Sequence, residues 1–426
     1  MENLTSLAGR QWIISQDDSS IFSNCEKIAG IIDGICQRCG SYCDTKIAEE
    51  ILYCRECIGL GRVSEKDYLI RDLSNKKFPK QGDLLTWSGE LTTRQAKVSQ
   101  EICDAFNKRQ DYLVHAVTGA GKTEMLFACL KLCLEAGLRA CIATPRIDVV
   151  NELFPRISSA FSNLKIGKYH GREYKDYEEE QLIICTTHQL LKFYHAFDLL
   201  IIDEVDSFPY APSPMLHFGA DNAVKTDGMK LYLTATPPDD LIEQIKHKEI
   251  TVSLLNRRFH GGLLPVPKEK LFLKPFLKKM QLNKNLLKEI ISVIKAGHPL
   301  LLFVPKISEI PVYLEALQSC HELKGVVIKG VHAADEARID KVQEFRDSKI
   351  DILITTTILE RGVTFKHVWV IIVAADDRIY TRASLIQIAG RVGRSSDDQN
   401  GLVLFCYHKY TFPIRQAVAE IKRMNR

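Results

Sequence analysis

Eight residues, Ala116-Val117-Thr118-Gly119-Ala120-Gly121-Lys122-Thr123, lie between an apolar run and a helical pattern. That placement lets loop amides and a helix N-terminus reach phosphate oxygens. In such a loop Thr118, Gly119, Ala120 and Gly121 line the phosphates with backbone, and Gly119 and Gly121 permit the tight wrap. Lys122 offers a point charge to the β and γ phosphates, and Thr123 offers a hydroxyl to magnesium. The strict GxxxxGK[ST] pattern is broken at its first position, where Ala116 stands. The chemistry expected is binding of a nucleoside triphosphate.

Hydrolysis needs acids and a charge stabiliser. Asp203 and Glu204 follow the apolar run Leu199 to Ile202, about 80 residues after the loop. At a strand end Asp203 can hold the magnesium shell, while Glu204 orients and deprotonates the attacking water. The run Gln387 to Arg394 fits QxxGRxGR, and Arg391 and Arg394 are candidates to stabilise charge spreading over the γ-phosphoryl oxygens. Gln95, in Leu91-Thr92-Thr93-Arg94-Gln95, carries an amide that can both donate to and accept from an adenine edge.

Hydroxyls and loop amides at strand ends suit sugar-phosphate contacts that do not read sequence. Thr144 and Arg146, Thr186 and Thr187, and Thr355 and Thr356 are the candidates for holding a DNA strand. Thr234 and Thr236 close another apolar run, and with Gly362 and Gln387 they are candidates for coupling the acidic pair to the strand-binding face.

A second chemistry sits earlier. Cys36 and Cys39, then fourteen residues, then Cys54 and Cys57 give two thiolate pairs spaced to close a tetrahedral zinc site. Cys43 is a spare thiol there, and Cys25 is expected to stay unligated. Seven of the thirteen cysteines are scattered singly in apolar segments, as buried thiols commonly are.

These residues need elements to position them. From Tyr112 onward short apolar β-rich runs alternate with helical patterns, the signature of parallel α/β architecture. Strands are expected at Tyr112 to Ala116, Ala140 to Ala143, Leu182 to Cys185, Leu199 to Ile202 and Lys230 to Leu233. After a looser stretch near residues 256 to 268, a second set is expected at Leu300 to Val304, Val326 to Ile328, Ile352 to Thr355, Trp369 to Val373 and Leu402 to Cys406. Three domains follow: 1–85 as a zinc module, 86–260 and 261–426 as two α/β halves meeting across a cleft that closes on ATP. The 426 residues, 46% of them hydrophobic, suffice to give each half a core. A net charge of only +4 excludes a passive nucleic-acid coat and requires any strand contact to be a local groove. No apolar run reaches membrane-spanning length and no secretory signal is visible, so a cytoplasmic address is expected.

The ordered set AVTGAGKT, TPR, TTH, DEVD, TAT, TTTILERG and QIAGRVGR resembles the superfamily-two (DExD/H) helicase core, in which the AxTGxGKT loop is common. With four cysteines ahead of a lean core, the chain most closely resembles the ComFA family, late-competence ATPases of Gram-positive bacteria. The resemblance implies two tandem RecA-like domains and an ATP-driven single-stranded DNA translocase using ATP, Mg2+ and Zn2+. It also implies partners, namely the ComEC channel, the phosphoribosyltransferase-like ComFC and the strand-loading DprA, at the inner face of the membrane. A replication-restart or repair 3'-5' helicase is the alternative enzyme, although primosomal helicases place their zinc cysteines inside the second helicase half. A non-hydrolytic, zinc-dependent DNA-binding adaptor is the alternative of another class.

Overall fold

The computed structural model describes residues 8–15, 25–47, 50–74, 77–171, 179–361, 363–394 and 401–426. The chain divides into two compact units. Residues 1–115 with 122–254 make the first, and 116–121 with 255–426 make the second.

The first unit carries most of a seven-stranded sheet. Its strands are β1 (Tyr112–Ala116), β2 (Ala140–Thr144), β3 (Ile166–Tyr169), β4 (Leu182–Thr186), β5 (Phe197–Asp203), β6 (Val224–Thr234) and β7 (Thr251–Leu255). Their spatial order is β3-β4-β2-β5-β6-β1-β7. The pairs β3–β4, β4–β2, β2–β5, β5–β6 and β6–β1 are all parallel. The central strands read as unbroken apolar runs because helices cover both faces of a parallel sheet, leaving no solvent side to demand alternation. β5 is buried from Phe197 to Ile202 and emerges at Asp203, which pairs in register with Leu233 of β6. The sheet thus carries the acidic pair and the threonine pair to neighbouring strand ends.

The cysteine-rich N-terminal segment folds onto this same unit. Gln11–Ser15, Asp67–Arg71 and Glu26–Ala29 form a three-stranded antiparallel sheet, with short hairpins around the cysteines. Ile31, Val63 and the buried cysteines share one continuous core with Phe193, Phe197, Leu216 and Ala220. Arg139 donates to Ala8 O at 2.8 Å, and Gln11 donates its amide to Leu191 O at 2.9 Å. Arg71 lies 3.7 Å from the centroid of the Tyr194 ring. The segment thus extends the neighbouring core.

The second unit holds a six-stranded sheet of β8 (Lys268–Leu271), β9 (Leu300–Phe303), β10 (Ile328–Gly330), β11 (Ile352–Thr355), β12 (Trp369–Ile372) and β13 (Val403–Tyr407). The order is β8-β13-β12-β9-β11-β10, parallel throughout. Its core joins Leu300, Leu302, Ile352, Ile354, Ile371 and Leu404 to the helices Lys284–Lys295 and Glu309–Gln318. No helix among the described residues is long and apolar enough to cross a membrane.

Candidate nucleotide, metal and strand sites

β1 runs directly into the phosphate-loop segment. Gly119 and Gly121 take φ of +79° and +73°, left-handed conformations that residues with a Cβ rarely adopt. These turns deliver the chain to Lys122, the first residue of a short helix ending at Met125. The Ser99 hydroxyl donates to Met125 O at 2.8 Å and ties that helix to Thr93–Asn107. Thr118 and Thr123 are buried, and Lys122 is half-buried. Consecutive amides at the start of a helix suit an anion, which is the chemistry expected of this loop from the sequence.

Gln95 stands at the third position of the helix Thr93–Asn107 and closes a capping box with Thr92. Its side-chain oxygen accepts from the Thr92 amide at 2.9 Å and from the Thr92 hydroxyl at 3.0 Å. Two donors hold that oxygen and so fix the amide in one orientation.

At the end of β5, Asp203 accepts the Glu204 amide at 2.9 Å. Glu204 has φ of +55°, a conformation costly for a residue with a side chain. Asp206 was not singled out by sequence reasoning, yet it organises this corner. Its carboxylate accepts from the Thr234 hydroxyl at 2.6 Å and from the Thr236 hydroxyl, while the Thr236 amide donates to Thr234 Oγ1 at 2.9 Å. Charge-assisted bonds of this kind are the stronger sort, and they join the acidic turn to the threonine turn across neighbouring strands. The only signal in the sequence was the third acid of Asp203-Glu204-Val205-Asp206 facing two threonines in Thr-Ala-Thr.

The strand candidates of the first unit lie at neighbouring strand ends. Thr144 and Thr186 face each other in register across β2 and β4, and Thr187 follows. Thr144 and Thr187 are fully buried, and Arg146 is half-buried at the N-cap of the helix Ile147–Ala160. In the second unit Thr355 and Thr356 are buried at the end of β11. Gly362 lies outside the described residues. Gln387 is buried in the helix Arg382–Ala389, which Thr381 caps at its N-terminus. Arg391, buried after that helix, donates Nε to Glu360 O at 3.1 Å. Arg394 donates Nε to Gly390 O at 3.1 Å and a terminal nitrogen to the Thr364 hydroxyl at 2.9 Å.

Cys36, Cys39, Cys54 and Cys57 are all buried, with sulfurs within 4.8 Å of one another. Cys36 and Cys57 sulfurs are 3.8 Å apart, and those of Cys39 and Cys54 are 3.5 Å apart. Zinc–sulfur bonds of about 2.3 Å in a tetrahedron place sulfurs about 3.8 Å apart, so the cluster fits zinc. Hydrogen bonding from Cys36 holds the Cys39 thiol down at about 7. Cys43 stays outside the set of four, and burial pushes its thiol up to about 12. Arg38, not foreseen, is the outer support: Nε donates to Cys57 Sγ at 3.2 Å and a terminal nitrogen to Cys57 O at 3.0 Å. Such groups orient ligands and stabilise their charge.

Two family models match the chain: residues 88–239 match "Type III restriction enzyme, res subunit", and residues 281–396 match "Helicase conserved C-terminal domain". Among solved structures, Dbp5 of S. cerevisiae bound to RNA and ADP BeF3 gives a TM-score of 0.56 at 15% identity, over 78% of this chain and 91% of that one. The helicase Lhr of Mycobacterium smegmatis, bound to ssDNA and AMP-PNP, gives 0.58 at 16% identity, over 77% and 47%. These likenesses identify both sheets as RecA-like domains. The competence protein ComFA of Streptococcus pneumoniae is 44% identical over 92% of this chain and 90% of its own length. Its namesake in Bacillus subtilis is 40% identical over 88% and 80%. With two helicase domains, a buried four-cysteine cluster and this likeness over nearly all its length, the chain belongs to the ComFA family of competence proteins, ATP-dependent superfamily-two helicases.

Proposed function

We propose that the protein is a single-stranded-DNA-stimulated, magnesium-dependent ATPase that translocates along the strand and drives uptake of transforming DNA. The observation that carries this reading is the linked corner at the ends of β5 and β6. There the carboxylate of Asp206, beside Asp203 and Glu204, binds the hydroxyls of both Thr234 and Thr236. A link of this kind gives hydrolysis a physical route to the strand-binding edge.

In this reading the amides of Thr118 to Gly121 and the ammonium of Lys122 hold the phosphates, and Gln95, whose side-chain oxygen is engaged by Thr92, offers its NH2 to the adenine edge. Thr123 and Asp203 would hold a magnesium ion, which when bound neutralises charge between the β and γ phosphates. Glu204 takes the proton of the attacking water, and Arg391 and Arg394 stabilise the γ-phosphoryl charge. Arg146 supplies a sequence-neutral contact to the DNA, and Thr144, Thr186, Thr187, Thr355 and Thr356, buried at their strand ends, would join it when those turns open onto the strand. Gly362 and Gln387 relay the nucleotide state. The four cysteines would hold one zinc ion, a structural brace for the N-terminal segment. Work at the inner membrane face through ComEC, ComFC and DprA is part of the same proposal, and family membership is what supports it.

Translocation is tested by displacement of streptavidin from biotinylated single strands under ATP. Release from one strand end at a rate that needs hydrolysis supports the motor. Release at the rate seen without nucleotide contradicts it. Strand separation on a forked duplex would instead favour a restart or repair helicase. DNA binding with no turnover at all would favour the zinc-dependent adaptor.

A further inference from the structure

Arg258 lies in the stretch that sequence reading leaves as a linker, and it is only 2% exposed. One terminal nitrogen of its guanidinium donates to Val392 O at 2.6 Å and to Gly393 O, and the other donates to Gly390 O at 3.3 Å. These carbonyls follow the helix Arg382–Ala389, whose C-cap is Gly390. Unpaired acceptors and the negative end of the helix dipole favour a cation there. A planar guanidinium fork can serve all three carbonyls together, whereas an ammonium presents a single point of charge.

The same residue packs on the phosphate loop, and every contact involved lies inside the second compact unit. Its Cγ and Cδ sit 3.7 Å from where a Cβ on Gly119 would stand. Next to it, the Phe259 amide donates to Gly119 O at 3.1 Å, and the Val117 amide donates to Leu255 O at 3.0 Å. The Gly390 carbonyl is thereby shared among the Thr118 hydroxyl at 3.3 Å, Arg394 Nε at 3.1 Å and Arg258. A Cβ on Gly390 would fall 2.0 Å from Thr118 Oγ1, so the approach depends on glycine. Burial, and then the neighbouring Arg394, push Arg258 down to about 9. Hydrogen bonds rather than solvation therefore hold this cation in place.

We propose that Arg258 is a positioning residue for ATP hydrolysis, clamping the Gly390–Gly393 turn to the phosphate loop and so aiming Arg394. When Arg394 leaves the Gly390 carbonyl for the γ-phosphate, Arg258 keeps that carbonyl satisfied and the turn keeps its place. The inference rests on the reading of Arg394 given above.

The test compares full-length Arg258→Ala, Arg258→Lys, Arg394→Ala and the Arg258→Ala/Arg394→Ala double variant, by DNA-stimulated ATPase and thermal melting. Misaiming a transition-state group lowers kcat about tenfold to a hundredfold in Arg258→Ala, with KM for ATP moving less than about threefold. Arg258→Lys recovers little of that loss, since it lacks the fork. The double variant is no slower than Arg394→Ala within about twofold, because Arg258 acts through Arg394. Wild-type kcat in Arg258→Ala, or a double variant losing the product of the two single factors, overturns the proposal. If Arg394→Ala loses turnover while Arg258→Ala keeps it, this inference alone fails. If Arg394→Ala keeps wild-type turnover, the reading of Arg394 fails with it. Should Arg258→Ala not fold, Arg258→Lys alone and with Arg394→Ala carries the same comparison, and full kcat in Arg258→Lys overturns the proposal.

Discussion

Cys36, Cys39, Cys54 and Cys57 come from 22 consecutive residues and meet in one buried cluster braced by Arg38. The residues assigned to ATP chemistry run from Gln95 to Arg394 and are held piecemeal. A capping box fixes Gln95, two left-handed glycines deliver Lys122, and a carboxylate shared by Thr234 and Thr236 anchors the acidic turn. The cysteine cluster is complete within its own stretch of chain, so damage to it is expected to appear as lost stability. The nucleotide apparatus rests on local supports built into an already folded sheet, so damage there is expected to appear as lost turnover with folding intact.

The largest expected departure between the two regions comes from Lys122→Ala and Glu204→Gln. Each should lower kcat at least about a hundredfold, as losses of charge stabilisation at a transition state do, with melting temperature unchanged. Steady-state ATPase alongside calorimetry checks this, and retained DNA-stimulated hydrolysis in either variant would remove the assignment. Next comes Cys36→Ser with Cys54→Ser. Bound zinc measured by atomic absorption should fall from about one equivalent per chain toward none. Because this segment shares a core with Phe193, Phe197 and Leu216, melting should drop by about 5–10 °C. A zinc-free protein that melts like the wild type would show that the brace is dispensable.

Thr234→Val sharpens the comparison inside the nucleotide apparatus. Losing one charge-assisted bond to Asp206 should cut the stimulation of ATPase by single-stranded DNA about tenfold to a hundredfold, given about 1.5–3 kcal/mol for such a bond. An unchanged stimulation ratio would sever the proposed coupling route. The smallest effect is expected from Arg38→Ala, which leaves all four thiols in place. Zinc affinity, read by competition with a chromogenic chelator, should weaken about tenfold, the lower end of what an outer contact to a ligand contributes. Unaltered affinity would mean that the Arg38 contact to Cys57 is incidental.

Which features were legible follows from the physics of each. Leu199 to Ile202 reads as a buried central strand because parallel sheets demand continuous apolar runs, and β5 contains it. β3, Ile166-Gly-Lys-Tyr, escaped because an edge strand half open to solvent tolerates glycine and lysine. β6 begins at Val224, six residues before the expected start. Its polar first half, Lys225 to Gly228, carries no apolar signal. Thr251–Leu255 was also missed and closes the far edge of the sheet beside β1. The four-cysteine cluster was legible from spacing alone, since Cys-x2-Cys pairs bring sulfurs together locally. Asp206 and Arg258 were not, because their partners lie 28 to 135 residues away and only the fold brings them into reach.

The most direct test of the central claim is ATP turnover measured in parallel with no polymer, single-stranded DNA, duplex DNA and RNA. Hydrolysis should be strongly stimulated by single-stranded DNA, less by duplex and RNA, and absent in Glu204→Gln under every condition. Equal turnover with and without polymer, or turnover surviving in Glu204→Gln, would contradict that claim.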